Sequence, residues 1–143
     1  MIARRIIFAS GNKHKLEEIK KGLIYPSVQL ISMREIGFDG EIEETGKTLE
    51  ENAELKARFI HDRYNVDCFA DDTGLEVDAL NGRPGVYSAR YAGEGCSFED
   101  NMNKMLFEMK DKPNRTARFK TIFHLILGGK EYQFKGEAEG LIL

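Results

Sequence analysis

Short apolar runs alternate with amphipathic helical segments along this chain, and that order constrains the fold more than any other feature. "RIIFA" (residues 5–9) and "VQLIS" (residues 28–32) contain the β-branched and aromatic residues that are typical of buried strands. Between them, Leu16, Ile19 and Leu23 recur at helical spacing among charged residues, which predicts an amphipathic helix. This order indicates an α/β domain with a mixed β-sheet and flanking helices.

The second half of the chain continues the pattern. Thr48 with Glu51 three residues later forms a capping-box signal, so a helix is expected to begin there. "DCFADD" and "LEVDAL" are interpreted as two separate strands, and residues 97–110 as a third helix. That helix is expected to turn four apolar side chains inward: Met102, Met105, Leu106 and Met109. The last 27 residues predict two long strands joined at "GGK".

Length and charge exclude several classes of protein. A chain of 143 residues fits a single domain spanning 1–143. The net charge of -3 argues against a nucleic-acid or membrane-surface binder, because both need a basic face. Cys68 and Cys96 lack metal-ligand spacing and are expected to be free thiols in a reducing compartment. The N-terminus shows no apolar run of signal-peptide length, so we expect a cytoplasmic protein.

The segment "SGNKHK" (residues 10–15) follows the first strand and opens the first helix. A glycine there lets the backbone approach a ligand, and free N–H groups at a helix start favour an anion. Lys13 and Lys15 oppose the helix dipole in the first turn, which suggests a bound anion that offsets their cost. A plain turn with solvated lysines is the alternative.

The most acidic stretch is "EIEETGKTLEENAELKA" (residues 41–57). The glutamates inside the predicted helix fit its solvated start, where the dipole favours acids. Glu43 and Glu44 lie in the loop before Gly46 and are freer to bind a ligand. Lys56 follows on the helix and either points towards a phosphate or pairs with Asn52 and solvent.

Adjacent carboxylates at Asp71 and Asp72 follow an apolar strand. Two such charges about 4 Å apart repel by about 4 kcal/mol at an effective dielectric near 20. A cation, a raised pKa or exposure to water would relieve that cost. Mg²⁺ prefers one or two carboxylates together with water and phosphate oxygens. The alternative is that both residues only cap a turn before Thr73 and Gly74.

With these residues assembled, the chain resembles the inosine/xanthosine triphosphate pyrophosphatase family. The resemblance is carried in order along the chain by "ASGNKHKLEEI", "EETGKTLEENAELKA" and "ADDTGLEVDALNGRPGVYSARYAG", and more weakly by "RTARFKTIFHLIL" and "FKGEAEGLI". It implies an elongated, two-lobed α/β fold, usually dimeric. It also implies Mg²⁺-dependent hydrolysis of purine nucleoside triphosphates such as ITP, dITP and XTP to the monophosphate and pyrophosphate.

The resemblance also implies roles for individual residues. Asp72 matches the family residue that both binds the metal and acts as the general base that activates water. Glu43 matches a second metal ligand. Asp71 is expected to support the site rather than to bind the ion. The residues expected to contact substrate are Ser10, Gly11, Asn12, Lys13, His14, Lys15, Lys56, Thr73 and Arg90.

This sequence departs from the family pattern at its C-terminal end. Members of the family continue past "GEAEGLI" to a Gly-Phe-Gly-Tyr-Asp-Pro segment, a lysine and a Ser-His-Arg motif, which contact the purine base. From this difference we expect a C-terminally truncated version of the fold, with impaired catalysis and an exposed strand edge able to pair with another copy. The alternative function is a remnant that binds nucleotide or self-associates without turnover.

Overall fold

A mixed six-stranded sheet organises residues 3–23 and 25–143, the part of the chain that the computed structural model describes. Its strands are β1 (Arg4–Phe8), β2 (Val28–Ser32), β3 (Cys68–Val77), β4 (Pro84–Gly85), β5 (Thr116–Leu127) and β6 (Lys130–Leu141). The strand order is β2-β1-β3-β5-β6, with β4 paired to β3. β1 is parallel to β2 and β3, whereas β3 is antiparallel to β5 and β5 to β6. The predicted mixed sheet and the C-terminal hairpin are confirmed.

Three α-helices flank the sheet: α1 (Lys13–Gly22), α2 (Leu49–Tyr64) and α3 (Phe98–Glu108). The predicted cap of α2 is confirmed, because the Thr48 hydroxyl accepts a hydrogen bond from the Glu51 backbone N–H at 3.0 Å. The Glu51 carboxylate reaches the backbone N–H of Lys47 instead of that of Thr48. Within residues 3–23 and 25–143, no helix combines the length and apolarity that crossing a bilayer requires.

The two faces of the sheet pack against different helices. On one face Leu16 of α1 packs with Phe8 and Leu30. On the other face Ala57 and Ile60 of α2 pack against β1, β2 and β3. Because successive strand residues point to opposite faces, neighbouring residues of β3 contact different helices.

β3 is one continuous strand of ten residues. The prediction of two separate strands was therefore wrong, as was the interpretation of Asp71 and Asp72 as caps of a turn. Both aspartates pair with β5 in the middle of the strand, opposite Phe123 and Ile122. Gly74 keeps the strand regular here, since any Cβ at that position would collide with the backbone carbonyl of Gly85 in β4.

The buried stripe of α3 is narrower than its sequence suggests. Met105 and Met109 are buried, as predicted, and pack near Val77. Met102 and Leu106 are 47% and 49% exposed, so the prediction that they point inward was wrong. Of the four predicted side chains, those of Met105 and Met109, one turn apart at the end of α3, face the sheet.

Candidate active site

Asp71 and Asp72 point to opposite faces of the sheet, because they are consecutive residues of β3. Asp71 faces α1, where its Oδ2 lies 2.6 Å from the Nζ of Lys15. Asp72 faces α2. The strand therefore keeps the two carboxylates apart, and each has its own surroundings. The direct repulsion expected from their adjacency in sequence does not decide the chemistry of the site.

Hydrogen bonds hold one oxygen of the Asp71 carboxylate, Oδ2, whereas its Oδ1 is buried without a partner among the described residues. Besides the Lys15 ammonium, the Thr73 hydroxyl donates to Asp71 Oδ2 at 3.3 Å. The Thr73 hydroxyl lies 2.8 Å from that of Thr121 on β5. Asp71 is only 3% exposed, so this ion pair is sheltered on the carboxylate side. This ion pair holds the Lys15 ammonium beside β3.

Asp72 is a buried carboxylate without enough partners. It is 8% exposed, and among the described residues its Oδ2 has no hydrogen-bond partner. Burial, and after it the nearby charge of Glu44, raise the pKa of Asp72 to about 6 against the opposing effects of Lys56 and Asn52. A carboxylate with such a pKa is mostly ionised at neutral pH and accepts a proton readily.

Lys56 connects the two aspartates to the acidic loop. Its Nζ donates to the backbone carbonyl of Asp71 at 2.6 Å and to Glu44 Oε1 at 3.2 Å. Glu44 is thereby brought close to Asp72, whereas Glu43 is exposed to solvent. Of the two loop glutamates considered from the sequence, Glu44 is the one whose charge acts on Asp72.

Asn52 is a residue of the site that the sequence interpretation missed as a contributor. It is fully buried on α2, one turn before Lys56, and its Oδ1 accepts a hydrogen bond from the Gly46 backbone N–H at 2.7 Å. Its signal in the sequence is an amide at a helix position whose neighbours Ala53 and Ala57 face the core. Because buried polar side chains are normally hydrogen-bonded, an amide on that face indicates a specific polar contact.

The predicted phosphate-binding loop lies at the end of β1. Asn12 caps α1 by accepting a hydrogen bond from the Lys15 backbone N–H at 3.1 Å. The backbone N–H of Ala9 donates to Phe69 of β3 at 2.8 Å, which brings residues 10–12 alongside the aspartates of that strand. Lys13 and His14 are exposed, and the first turn of α1 contains no acidic residue. The start of α1 is therefore open to an anion.

Arg90 occupies a loop that is tied to β3. It ends the short 3₁₀ helix Ser88–Arg90, and its guanidinium lies 5.4 Å from the centre of the Tyr87 ring. The Ser88 hydroxyl donates to the Gly85 carbonyl at 2.6 Å and accepts from the Leu75 N–H at 2.8 Å. Arg90 is exposed, and its loop is hydrogen-bonded through Ser88 to Leu75, which lies three residues after Asp72 in β3.

The donor set at Asp72 fits a hard divalent cation. Within the described ranges, no group of three or more His, Cys, Asp or Glu side chains is arranged to enclose an ion. Asp72 and Glu44 nevertheless supply two carboxylates, and Asp72 Oδ2 is buried without a partner. Mg²⁺ commonly uses one or two carboxylates and completes its shell with water and phosphate oxygens. The unpartnered oxygen and the two like charges are the features that a cation would satisfy.

Comparisons with known proteins identify similar sequences and a similar fold. Residues 6–143 match the Ham1 family. A dITP/XTP pyrophosphatase of Flavobacterium johnsoniae is 51% identical over 138 residues, which are 96% of this chain and 71% of that protein. The Ham1 protein of Staphylococcus aureus superposes with a TM-score of 0.88 at 40% identity, over 98% of this chain and 72% of that one. A HAM1 protein of Coxiella burnetii gives a TM-score of 0.90 at 34% identity, over 97% and 73%.

Proposed function

The chain belongs to the Ham1 family, and on that premise we propose that it hydrolyses non-standard purine nucleoside triphosphates to the monophosphate and pyrophosphate. The substrates proposed are dITP, XTP and ITP. The relatives named dITP/XTP pyrophosphatase support this class of substrate, because two of them are 51% and 49% identical to this chain over nearly its whole length. The single structural observation that carries the proposal is the buried, unpartnered Oδ2 of Asp72, close to the charge of Glu44.

In this proposal Asp72 and Glu44 hold Mg²⁺, which would neutralise phosphate oxygens and make the phosphorus more electrophilic when bound. We assign the second ligand to Glu44 instead of Glu43, because Glu44 is the neighbour whose charge acts on Asp72. The fit rests on the two carboxylates and on the orphaned oxygen of Asp72.

The protein residues divide the remaining work. Lys15 and the open start of α1, with Ser10, Gly11 and Asn12, bind the phosphate oxygens. Asp72 takes a proton from a water molecule as the water oxygen bonds to phosphorus and the bond to the pyrophosphate oxygen breaks. Lysines and amide N–H groups stabilise the charge that grows on the leaving pyrophosphate.

Lys56 and Asp71 act mainly through other groups. The buried ammonium of Lys56 is already bonded to the Asp71 carbonyl and to Glu44, so its role is to position Glu44 beside β3. Asp71 fixes Lys15. Thr73 supports Asp71, and we place Lys13, His14 and Arg90 at the exposed margin of the substrate site.

Product analysis tests the proposal. The chain is incubated with dITP and MgCl₂, and the products are separated by ion-exchange chromatography. We expect deoxyinosine monophosphate and pyrophosphate in equal amounts, no reaction in EDTA and none with Asp72→Asn. Release of orthophosphate as the first product, or full rate in Asp72→Asn, would contradict the assignment.

We also propose that the protein acts as a homodimer in the cytoplasm, as the family resemblance implies. The free thiols of Cys68 and Cys96 are compatible with a reducing compartment. Sedimentation equilibrium of the purified chain measures the oligomeric state directly, and a mass equal to the 16.3 kDa of one chain at all concentrations would exclude the dimer.

A further inference from the structure

Asn52 stands out among the buried residues of α2. It is 0% exposed, and it lies on the helix face formed by Leu49, Ala53 and Ala57, where an apolar side chain would pack. Its Nδ2 is buried and has no hydrogen-bond partner within the described residues. Leaving a buried donor unpaired costs about 1–3 kcal/mol. The amide therefore lowers the stability of the fold, and packing alone does not explain its presence.

One end of the Asn52 amide holds the acidic loop. Its Oδ1 accepts from the Gly46 backbone N–H at 2.7 Å. The approach is so close that a Cβ at Gly46 would lie 2.6 Å from that oxygen. One turn further along α2, Lys56 binds Glu44 in the same loop at 3.2 Å. α2 is therefore hydrogen-bonded to the acidic loop at two residues, Glu44 and Gly46, which lie on either side of Thr45.

The other end of the amide lies near Asp72. Asp72 is paired with Ile122 on β5, and Ile122 packs against Leu49 and Ala53, the α2 residues on either side of Asn52. Asn52 Nδ2 is an unpaired buried donor, and Asp72 Oδ2 is an unpaired buried acceptor. Both belong to side chains between α2 and the face of β3 that packs on it.

We propose that Asn52 is a positioning residue with two separable roles, an inference that rests on the proposed function. Its Oδ1 holds the loop so that Glu44 lies beside Asp72. Its Nδ2, which has no partner among the described residues, is the donor available to hold one Asp72 oxygen, so that the other oxygen is left for the cation and the attacking water. Residues that orient metal ligands in this way typically affect metal affinity by about 10–100-fold.

Two substitutions separate these roles. Asn52→Asp keeps an acceptor for Gly46 and replaces the donor by a second carboxylate oxygen. Asn52→Leu has similar volume and removes both. Ile60→Ala is the matched control, because Ile60 is also fully buried on α2 and its truncation destabilises the helix without touching the acidic loop.

Three measurements are made on each protein: hydrogen exchange of the Gly46 amide without metal, the Mg²⁺ dissociation constant by calorimetry, and kcat and KM with dITP. In Asn52→Leu we expect rapid Gly46 exchange and Mg²⁺ affinity weakened by about tenfold or more. In Asn52→Asp we expect a protected Gly46 amide, kcat lowered by about tenfold or more and little change in KM. Ile60→Ala should lose stability and keep its Mg²⁺ affinity.

Several results would overturn the inference. Unchanged Gly46 exchange in Asn52→Leu removes the loop-holding role, and wild-type kcat in Asn52→Asp removes the donor role. Equal loss of Mg²⁺ affinity in Ile60→Ala and Asn52→Leu makes Asn52 merely structural. A wild-type chain that neither binds Mg²⁺ nor hydrolyses dITP contradicts the proposed function instead, and the metal-free exchange of Gly46 then judges the loop-holding role by itself.

Discussion

Replacing Asp72 by Asn should stabilise the metal-free protein at neutral pH, although it should abolish hydrolysis. The pKa of Asp72 is raised from 3.8 to about 6, first by burial and then by Glu44. A rise of about 2 units corresponds to at most about 3 kcal/mol of destabilisation once the carboxyl is ionised. Since asparagine carries no charge, we expect Asp72→Asn to gain roughly 1–3 kcal/mol at pH 7.5.

The sign of the pH dependence follows from the same shift. Because the folded pKa lies above the unfolded value, the native state binds more protons than the unfolded state between about pH 4 and pH 6. Stability of the wild-type protein should therefore fall as pH rises through that window. The advantage of Asp72→Asn should shrink towards zero as pH is lowered from 7.5 to about 4.

Urea unfolding in EDTA, followed by circular dichroism at several pH values, measures this difference. Asp71→Asn is the control, because Asp71 has an ion pair with Lys15 at 2.6 Å and its neutralisation should destabilise the protein. If Asp72→Asn is no more stable than wild type at pH 7.5, or if its advantage does not depend on pH, the ionised Asp72 carboxylate does not destabilise the metal-free protein.

Three further predictions concern other positions. Glu44→Gln should abolish the rise in melting temperature that Mg²⁺ produces, whereas Glu43→Gln should keep it; the reverse result would return the metal ligand to Glu43. Gly74→Ala should cost more than about 3 kcal/mol in urea unfolding, because its methyl group collides with the Gly85 carbonyl, and wild-type stability would show that β4 can move away. Lys15→Met should weaken calorimetric binding of the triphosphate at least about tenfold while Mg²⁺ binding persists, and unchanged triphosphate affinity would remove the phosphate role.

The elements of the first half of the chain were predictable because each has a local cause. Asn12 and Thr48 cap their helices through contacts with residues three positions later. The boundaries of β2 were predicted to the residue. Such signals need no knowledge of distant contacts.

Other features depend on contacts between segments far apart in sequence. Thr73 and Gly74 suggest a turn, yet pairing with β5 and the close passage of β4 keep them in a strand. The same pairing sends Asp71 and Asp72 to opposite faces. The choice between Glu43 and Glu44 depends on where the Lys56 ammonium lies. Periodicity within one segment carries no information on these points.

Anomalous X-ray scattering from a crystal grown with Mn²⁺ and a non-hydrolysable purine nucleoside triphosphate shows whether Glu44 and Asp72 bind one divalent ion together with the substrate phosphates. Carboxylates of Glu44 and Asp72 should both contact the Mn²⁺ peak, and phosphate oxygens of the nucleotide should complete its coordination. A peak held by other residues, or an ordered triphosphate whose phosphates lie away from these two carboxylates, would contradict a metal site at Glu44 and Asp72.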